Sequence, residues 1–364
     1  MTNLLADVRP LLPGATLTEV GVLGGSERSD VRRVRARWPD RELALVVKRF
    51  AGAGESWVRE SAALSILPAG APAPRPVAES AQPAIVVMSD LGEAPSVADA
   101  LLAPDAAAAG DAVRLWARTI GRLHRVTLGE RGRFRAALGL RSGDIPVADH
   151  AMSAETDEAV QALEQWCLRL EVAVPPHALS ELRELPRRLG PSGEAALSPS
   201  DACPDNNVRV DDGLALIDFE GAQWRHVAWD VAYLIVPWPS CWCSWRMPGD
   251  VTERALEEYR AAVADALPYV RTPQFRDDVV DAAAGWSVLS TTWFLRRALA
   301  DDPPSLHPEL PTPSRRAMIL HRLDGARRNG RMPALAKLAG ALRERLVTRW
   351  GEVPLAYAPA FEQT

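Results

Sequence analysis

The chain has 364 residues, 47% of them hydrophobic, with 42 basic against 47 acidic residues for a formal charge of −5. That length exceeds what one hydrophobic core usually serves, so two lobes are expected; the acidic balance gives no reason to expect a nucleic-acid partner, and no apolar run reaches membrane-spanning length. The start, MTNLLADVRPLLPG, lacks a basic n-region and a long apolar stretch, and four cysteines in so long a chain do not make a disulfide framework, so a cytoplasmic protein is expected.

Residues 16–50 read as strand, turn, strand and strand. TLTEVGVLGGSERSDVRRVRARW places β-type runs on either side of a Gly24-Gly25-Ser26 turn, and ELALVVKRF is an apolar β-rich run. SWVRESAALSIL (56–67) has helical spacing and stops at the proline-rich PAGAPAPRP, which reads as a loop. AIVVMSDLG (84–92) is a buried strand running into a turn at residues 89–92. Beyond it the character changes, and 105–128, 155–172, 251–267, 275–300 and 314–349 carry helical patterns. NNVRVDDGLALIDFEG (206–221) is a hairpin with an Asp-Asp-Gly turn, and a second proline cluster at 303–313 reads as a loop. The expected fold class is α+β, with a small β-rich lobe over residues 1–90 and a larger, mainly helical lobe over residues 91–364.

Positive charge is written almost entirely as arginine: of 42 basic residues, only Lys48 and Lys337 are lysines. A lysine in such a chain points to a site that wants a compact ammonium rather than a planar fork. A second concentration of chemistry lies in LSPSDACPDNNVRV (197–210), where Asp201 and Asn206 stand five positions apart, with Asp218 across the following hairpin. Phosphoryl transfer needs such a set. One carboxylate orients the attacking hydroxyl, and a second carboxylate with a carboxamide oxygen holds magnesium against a triphosphate. Each residue also has an ordinary reading: Asp, Asn and Pro gather in turns, a strand-edge lysine faces solvent, and glutamates such as Glu55 and Glu60 are commonplace on a helix. The set gains its meaning from its order along the chain.

The segment Asp201-Ala-Cys-Pro-Asp-Asn206 resembles the catalytic loop of the aminoglycoside phosphotransferase family, which has a protein-kinase-like two-lobed fold, and LIDFEGA resembles that family's metal-binding strand. The resemblance implies that Asp201 is the catalytic base and that Asn206 and Asp218 bind Mg2+. It implies that Lys48, in LVVKRF, contacts the phosphates of ATP with Glu60 of RESAALSIL as its helix partner. The backbone at Ser89 and Leu91 would hold adenine, and Gly24, Gly25 and Ser26 would belong to the loop that covers the nucleotide. IGRLHRV (120–126) is similar to a helix of the large lobe, and WDVAYL to a motif in which Asp230 braces the catalytic loop.

The family's usual His-Gly before the base is Pro199-Ser200 here, which puts the shape of the loop in question. The expected activity is ATP- and Mg2+-dependent transfer of the γ-phosphate to a hydroxyl of a small molecule. A nucleotide-binding scaffold with weak or no catalysis is the alternative that Pro199 motivates. Only about a dozen residues separate Asp218 from Asp230, with no room for a long activation segment, which favours a small acceptor over a protein. An acidic large lobe would favour a cationic acceptor such as an aminoglycoside, although net charge alone places no carboxylate in a cleft.

Other features read as structural. His124, on an apolar helical face, is expected to pack in the core. Cys203 has no cysteine or histidine at zinc-like spacing, and Cys241 and Cys243 form a pair without a second half, so no zinc site is expected. Trp238, Trp242 and Trp245 read as packing, with an aromatic wall of the acceptor site as the functional alternative. Arg315, Arg316, Arg322, Arg327, Arg328 and Arg331 are expected on the wet face of the last helices.

Overall fold

A computed structural model describes residues 4–25, 28–211, 213–300, 302 and 310–362. Ser26 and most of the second proline cluster lie outside the described residues. Strands β1 (Thr16–Gly25), β2 (Ser29–Arg37), β3 (Glu42–Phe50), β4 (Pro76–Ala81) and β5 (Ala84–Ser89) form one antiparallel sheet in the order β1-β2-β3-β5-β4. Side chains alternate across a strand, and β3 and β5 use both faces. Leu45, Val47, Ile85 and Val87 pack with Leu4 and Val8 of helix α1 (Leu4–Val8). Phe50, Ala84, Val86 and Met88 face the other way, into a core shared with Trp57 and Leu64 of helix α2 (Glu55–Ile66). Lys48 falls two residues before Phe50, opposite Val86 in register, and so points to the α2 side.

The rest of the chain is mainly helical: α3 (Val97–Leu102), α4 (Ala106–Thr127), α5 (Arg131–Ser142), α6 (Met152–Arg169) and α7 (Ala178–Arg188) come first. Two short hairpin pairs follow, nested in each other. β6 (Ala195–Ser198) pairs with β9 (Gln223–His226), and between them β7 (Asn207–Val210) pairs with β8 (Gly213–Leu216). Then come α8 (Ala228–Val231), α9 (Gly249–Val263), α10 (Pro273–Leu299), α11 (Arg315–Ala326) and α12 (Pro333–Trp350). Caps set several starts: Asp105 accepts from the N–H groups of Ala107 and Ala108 at α4, and Thr272 caps α10 ahead of Pro273. The segment expected to be helical over 314–349 is two helices, because Pro333 opens the second at its first turn. Helices α5 and α7 went unread in the sequence, where Gly132 and Gly139 in one and Pro186 in the other obscure the pattern. Among the described residues no helix is long and apolar enough to cross a membrane.

The core runs across the lobe boundary expected at residue 90. Phe50, Trp57 and Met88 belong to the same buried cluster as Trp116, Phe134, Trp224 and Trp229. Within the helical part, α4 and α9 meet at Gly121, where a Cβ would stand 2.8 Å from that of Ala262 and 3.0 Å from the Tyr259 carbonyl. Backbone cannot give way there, so Gly121→Val should destabilise the fold by about 1–3 kcal/mol through overpacking. A lower urea midpoint with an unchanged m value is the expected reading.

Candidate active site

The nested hairpins explain why residues 201, 206 and 218 meet. The loop after β6 carries Asp201 and Asn206, and the chain returns along β8 to place Asp218 just before β9. The Ile217 N–H donates to the Asn206 carbonyl at 3.1 Å, tying one loop to the other. Asp218 takes a left-handed conformation (φ +64°), a strained position for a non-glycine residue and one often found at functional sites. Asp201, Asn206 and Asp218 line a single cleft of about 390 Å3, together with Arg28 at the start of β2's approach. A larger groove of about 890 Å3 beside α9 is walled by arginines and glutamates that pair with one another, as Glu257 does with Arg260.

Lys48 is buried and surrounded by acids. Its Nζ stands 2.6 Å from Glu60 Oε2, 2.6 Å from Asp218 Oδ1 and 3.2 Å from Glu220 Oε2. Burial works against its charge, but Glu60 and Asp218 hold the ammonium well above its ordinary range. Helix α2 is fixed in place by Trp57, whose indole donates to the Ile85 carbonyl at 3.2 Å, and by Arg59, which donates to the Ala222 carbonyl at 2.8 Å. Glu60 therefore cannot swing away. Burial pushes Glu60 up to about 7, against the pull of Lys48, and Asp218 and Glu220 add repulsion. Folding thus binds a proton between the ordinary value of 4.5 and about 7, and this group's contribution to stability falls as pH rises through that window. Glu60→Gln should flatten that fall, which thermal melts across the same pH range would show.

The loop that carries Asp201 is held by a set of hydrogen bonds around Ser200. Ser200 is left-handed (φ +71°). Its N–H donates to Ser198 Oγ at 2.9 Å, and its carbonyl accepts from Tyr233 OH at 2.9 Å and Arg225 Nη2 at 3.1 Å. Gln223 Nε2 donates to Ser200 Oγ at 3.0 Å. Behind them Asp230, fully buried, binds Arg225 Nε at 3.1 Å, Ser198 Oγ at 2.8 Å and His124 Nε2 at 2.9 Å. Burial alone would raise Asp230, but Arg225 and His124 hold it down at about 2. His124 is buried as expected, and its other ring nitrogen meets Tyr259 OH at 3.0 Å.

Asp201 Oδ1 accepts from Ser240 Oγ at 2.6 Å and from Cys203 Sγ at 3.1 Å. Among the described residues its Oδ2 has only the Asn206 amide, at 3.4 Å. Asn206 spends that amide nitrogen mainly on the Asp201 carbonyl at 2.8 Å, which turns its own side-chain oxygen to other uses. The donor set of Asp218, Glu220 and the Asn206 oxygen is made of hard oxygens, the kind that suits magnesium; Glu60, Asp218 and Glu220 offer carboxylate oxygens within 4.8 Å of one another.

Several participants were not read in the sequence. Glu220 stands two residues past Asp218, in the same LIDFEGA segment. Ser240, Tyr233 and Arg225 act from far along the chain and left no local signal. Gly24 and Gly25 close β1, where the pairing with β2 is irregular, and the expected Ser26 lies outside the described residues. The Ser89 N–H is committed to the Arg75 carbonyl at 2.9 Å. Two expectations need correction. Arg315 and Arg322 are buried, not on a wet face, because α11 packs against α10 with the cleft at one end. Cys203 does have a cysteine neighbour, since Cys241 lies beside it in space. Trp238 and Trp245 are buried packing, whereas Trp242 lines the cleft.

A family model described as a phosphotransferase enzyme family matches residues 23–271. Among solved structures, an ethanolamine kinase from Plasmodium vivax is similar at 13% identity and a TM-score of 0.54, covering 85% of this chain and 81% of its own. A choline kinase from Cryptosporidium parvum is similar at 10% identity and a TM-score of 0.54, covering 93% and 99%. A macrolide 2'-phosphotransferase from Brachybacterium faecium shares 17% identity at a TM-score of 0.45, covering 81% and 92%. No curated protein matches the chain at a significant level. The two structures at a TM-score of 0.54, the ethanolamine and choline kinases, show a shared fold.

Proposed function

Because the chain belongs to the phosphotransferase enzyme family, we propose that it transfers the γ-phosphate of ATP to a hydroxyl of a small molecule, with Mg2+ held by Asp218 and Asn206. The observation that carries this reading is the convergence of Asp201, Asn206 and Asp218 on one cleft, with Lys48 bound to Asp218 at its wall. ATP with Mg2+ supplies the electrophilic phosphorus and neutralises the charge that develops as the terminal phosphoryl group moves. Lys48 holds phosphate oxygens and Glu60 keeps its ammonium aimed at them. Asp201 is fixed through Oδ1 by Ser240 and Cys203, so that Oδ2 orients the acceptor hydroxyl and takes its proton. Gly24 and Gly25, at the end of β1, would cover the phosphates. With the Ser89 N–H occupied, adenine is met by the Ser89 carbonyl and the Leu91 N–H.

The acceptor side of the cleft includes Arg297 and Arg315. Its Asp205 carboxylate takes the Trp242 indole N–H at 2.7 Å. Charge there does not single out a cationic acceptor. The test is ATP consumption by the full chain, with and without Mg2+, over amino alcohols, amino sugars, macrolides, sugars and hydroxy acids. Acceptor-dependent ADP release that disappears in Asp201→Ala supports the reading. Nucleotide binding in a thermal-shift assay, without turnover on any acceptor, sinks it in favour of a scaffold.

A further inference from the structure

Three of the four cysteines meet beside Asp201. Cys203 sits on the base loop, while Cys241 and Cys243 arrive on the tryptophan-rich turn with their sulfurs 2.7 Å apart. The sulfurs of Cys203 and Cys241 and a carboxylate oxygen of Asp205 lie within 4.8 Å of one another. All three cysteines are free thiols and are buried, yet Cys203, Asp205 and Cys241 line the cleft, which gives a path from solvent. The Trp242 indole fixes the Asp205 carboxylate in place at 2.7 Å.

A second observation points to negative charge at this spot. Arg322 is 3% exposed and donates Nη2 to Ser244 Oγ at 3.0 Å, but among the described residues its Nη1 has no hydrogen-bond partner. The Ser244 hydroxyl in turn reaches the Cys241 carbonyl at 2.9 Å, so the buried guanidinium stands against the thiol-bearing turn. The guanidinium also lies over the Phe294 ring at 5.3 Å, so the missing hydrogen bond is at Nη1, and a buried cation is costly unless an anion lies close.

We propose that Cys203, Cys241 and Asp205, with Cys243 as a further sulfur, bind a thiophilic divalent cation of the zinc class, at a site separate from the oxygen donors of Asp218 and Asn206. Thiolates select such an ion over magnesium. At about 2.3 Å from each sulfur in a tetrahedral site, the ion would hold sulfurs about 3.8 Å apart, so Cys241 and Cys243 open by about 1 Å from their present contact. Each ligating thiol loses its proton to solvent. Two thiolates and one carboxylate leave one negative charge over the two of the ion, which Arg322 offsets; with Cys243 as a third thiolate Arg322 offsets one of two. Drawing Cys203 onto the ion removes one of the two donors that hold Asp201 Oδ1, so occupancy slows turnover. That consequence rests on the proposed transferase reading, whereas the binding itself does not.

The experiment titrates the metal-free full chain with Co2+ and follows the thiolate-to-cobalt charge-transfer absorption, then displaces cobalt with Zn2+. One saturable equivalent is expected. Cys167→Ser, altering a thiol buried in α6, should bind cobalt as the wild type does. Cys203→Ser and Cys241→Ser should each weaken binding by more than about 10-fold, with thermal melts reporting that they fold. Asp205→Asn leaves every thiol in place and should weaken binding too, which guards against a cysteine variant that misfolds. Absence of the band in the wild type, or a band that survives Cys203→Ser and Cys241→Ser, overturns the proposal. A sulfur-to-cobalt band in a chain that turns over no acceptor upholds the cation site and removes the transferase reading; turnover without the band does the reverse.

Discussion

Asp201→Asn should lower acceptor-dependent kcat by about 100- to 10,000-fold, the usual contribution of a positioned general base, while nucleotide affinity stays close to that of the wild type. The substitution is nearly isosteric. An asparagine oxygen still accepts from Ser240 Oγ and Cys203 Sγ, which now reach Oδ1 at 2.6 and 3.1 Å, so the loop keeps its shape. The amide that replaces Oδ2 cannot take the proton of an attacking hydroxyl. The loss therefore falls on kcat rather than on ATP binding, and measuring the two separately distinguishes a missing base from a collapsed loop. Turnover within tenfold of wild type would remove Asp201 from the chemistry.

Asp230→Asn should cost about 3–5 kcal/mol of stability, the range for breaking a buried ion pair from one side. Asp230 and Arg225 are both sealed from solvent, and the aspartate holds the guanidinium that in turn supports the Ser200 carbonyl. Removing its charge strands Arg225 and loosens His124 and Ser198 together. Urea unfolding of the variant is the direct check. Replacing both partners with apolar residues, as in Asp230→Leu with Arg225→Met, should recover part of the loss, because no unpaired charge is then left inside. The sign of the pH effect follows from the depressed carboxyl. Its contribution is present above the ordinary value of 3.8 and is lost as pH falls toward about 2. A stability profile that is flat across that range would show that Asp230 does not carry the pair.

Much of the fold was legible because its signals are local. ELALVVKRF, legible as an apolar β-rich run, is strand β3, while the face that Lys48 takes, opposite Leu45 and Val47, was decided by packing. The helical spacings at 56–67, 105–128 and 275–300 came within a few residues of α2, α4 and α10. β6 and β9 escaped, since four residues carry little pattern and, unlike β7 and β8, they are not joined by a tight turn such as Asp-Asp-Gly.

The sequence by itself determined the donor types: a rare lysine, two aspartates and an asparagine, spaced so that a hairpin could fold them back on one another. Tertiary structure alone decided that Ser240 and Cys203 orient Asp201, that Arg225 and Tyr233 support Ser200 after Pro199, and that Cys203 finds Cys241. It also decided that Arg315 and Arg322 turn inward. The reason is physical: periodicity records which side of one element is apolar, whereas a hydrogen bond between distant segments depends on which surfaces are brought face to face by packing, and no spacing along the chain records that.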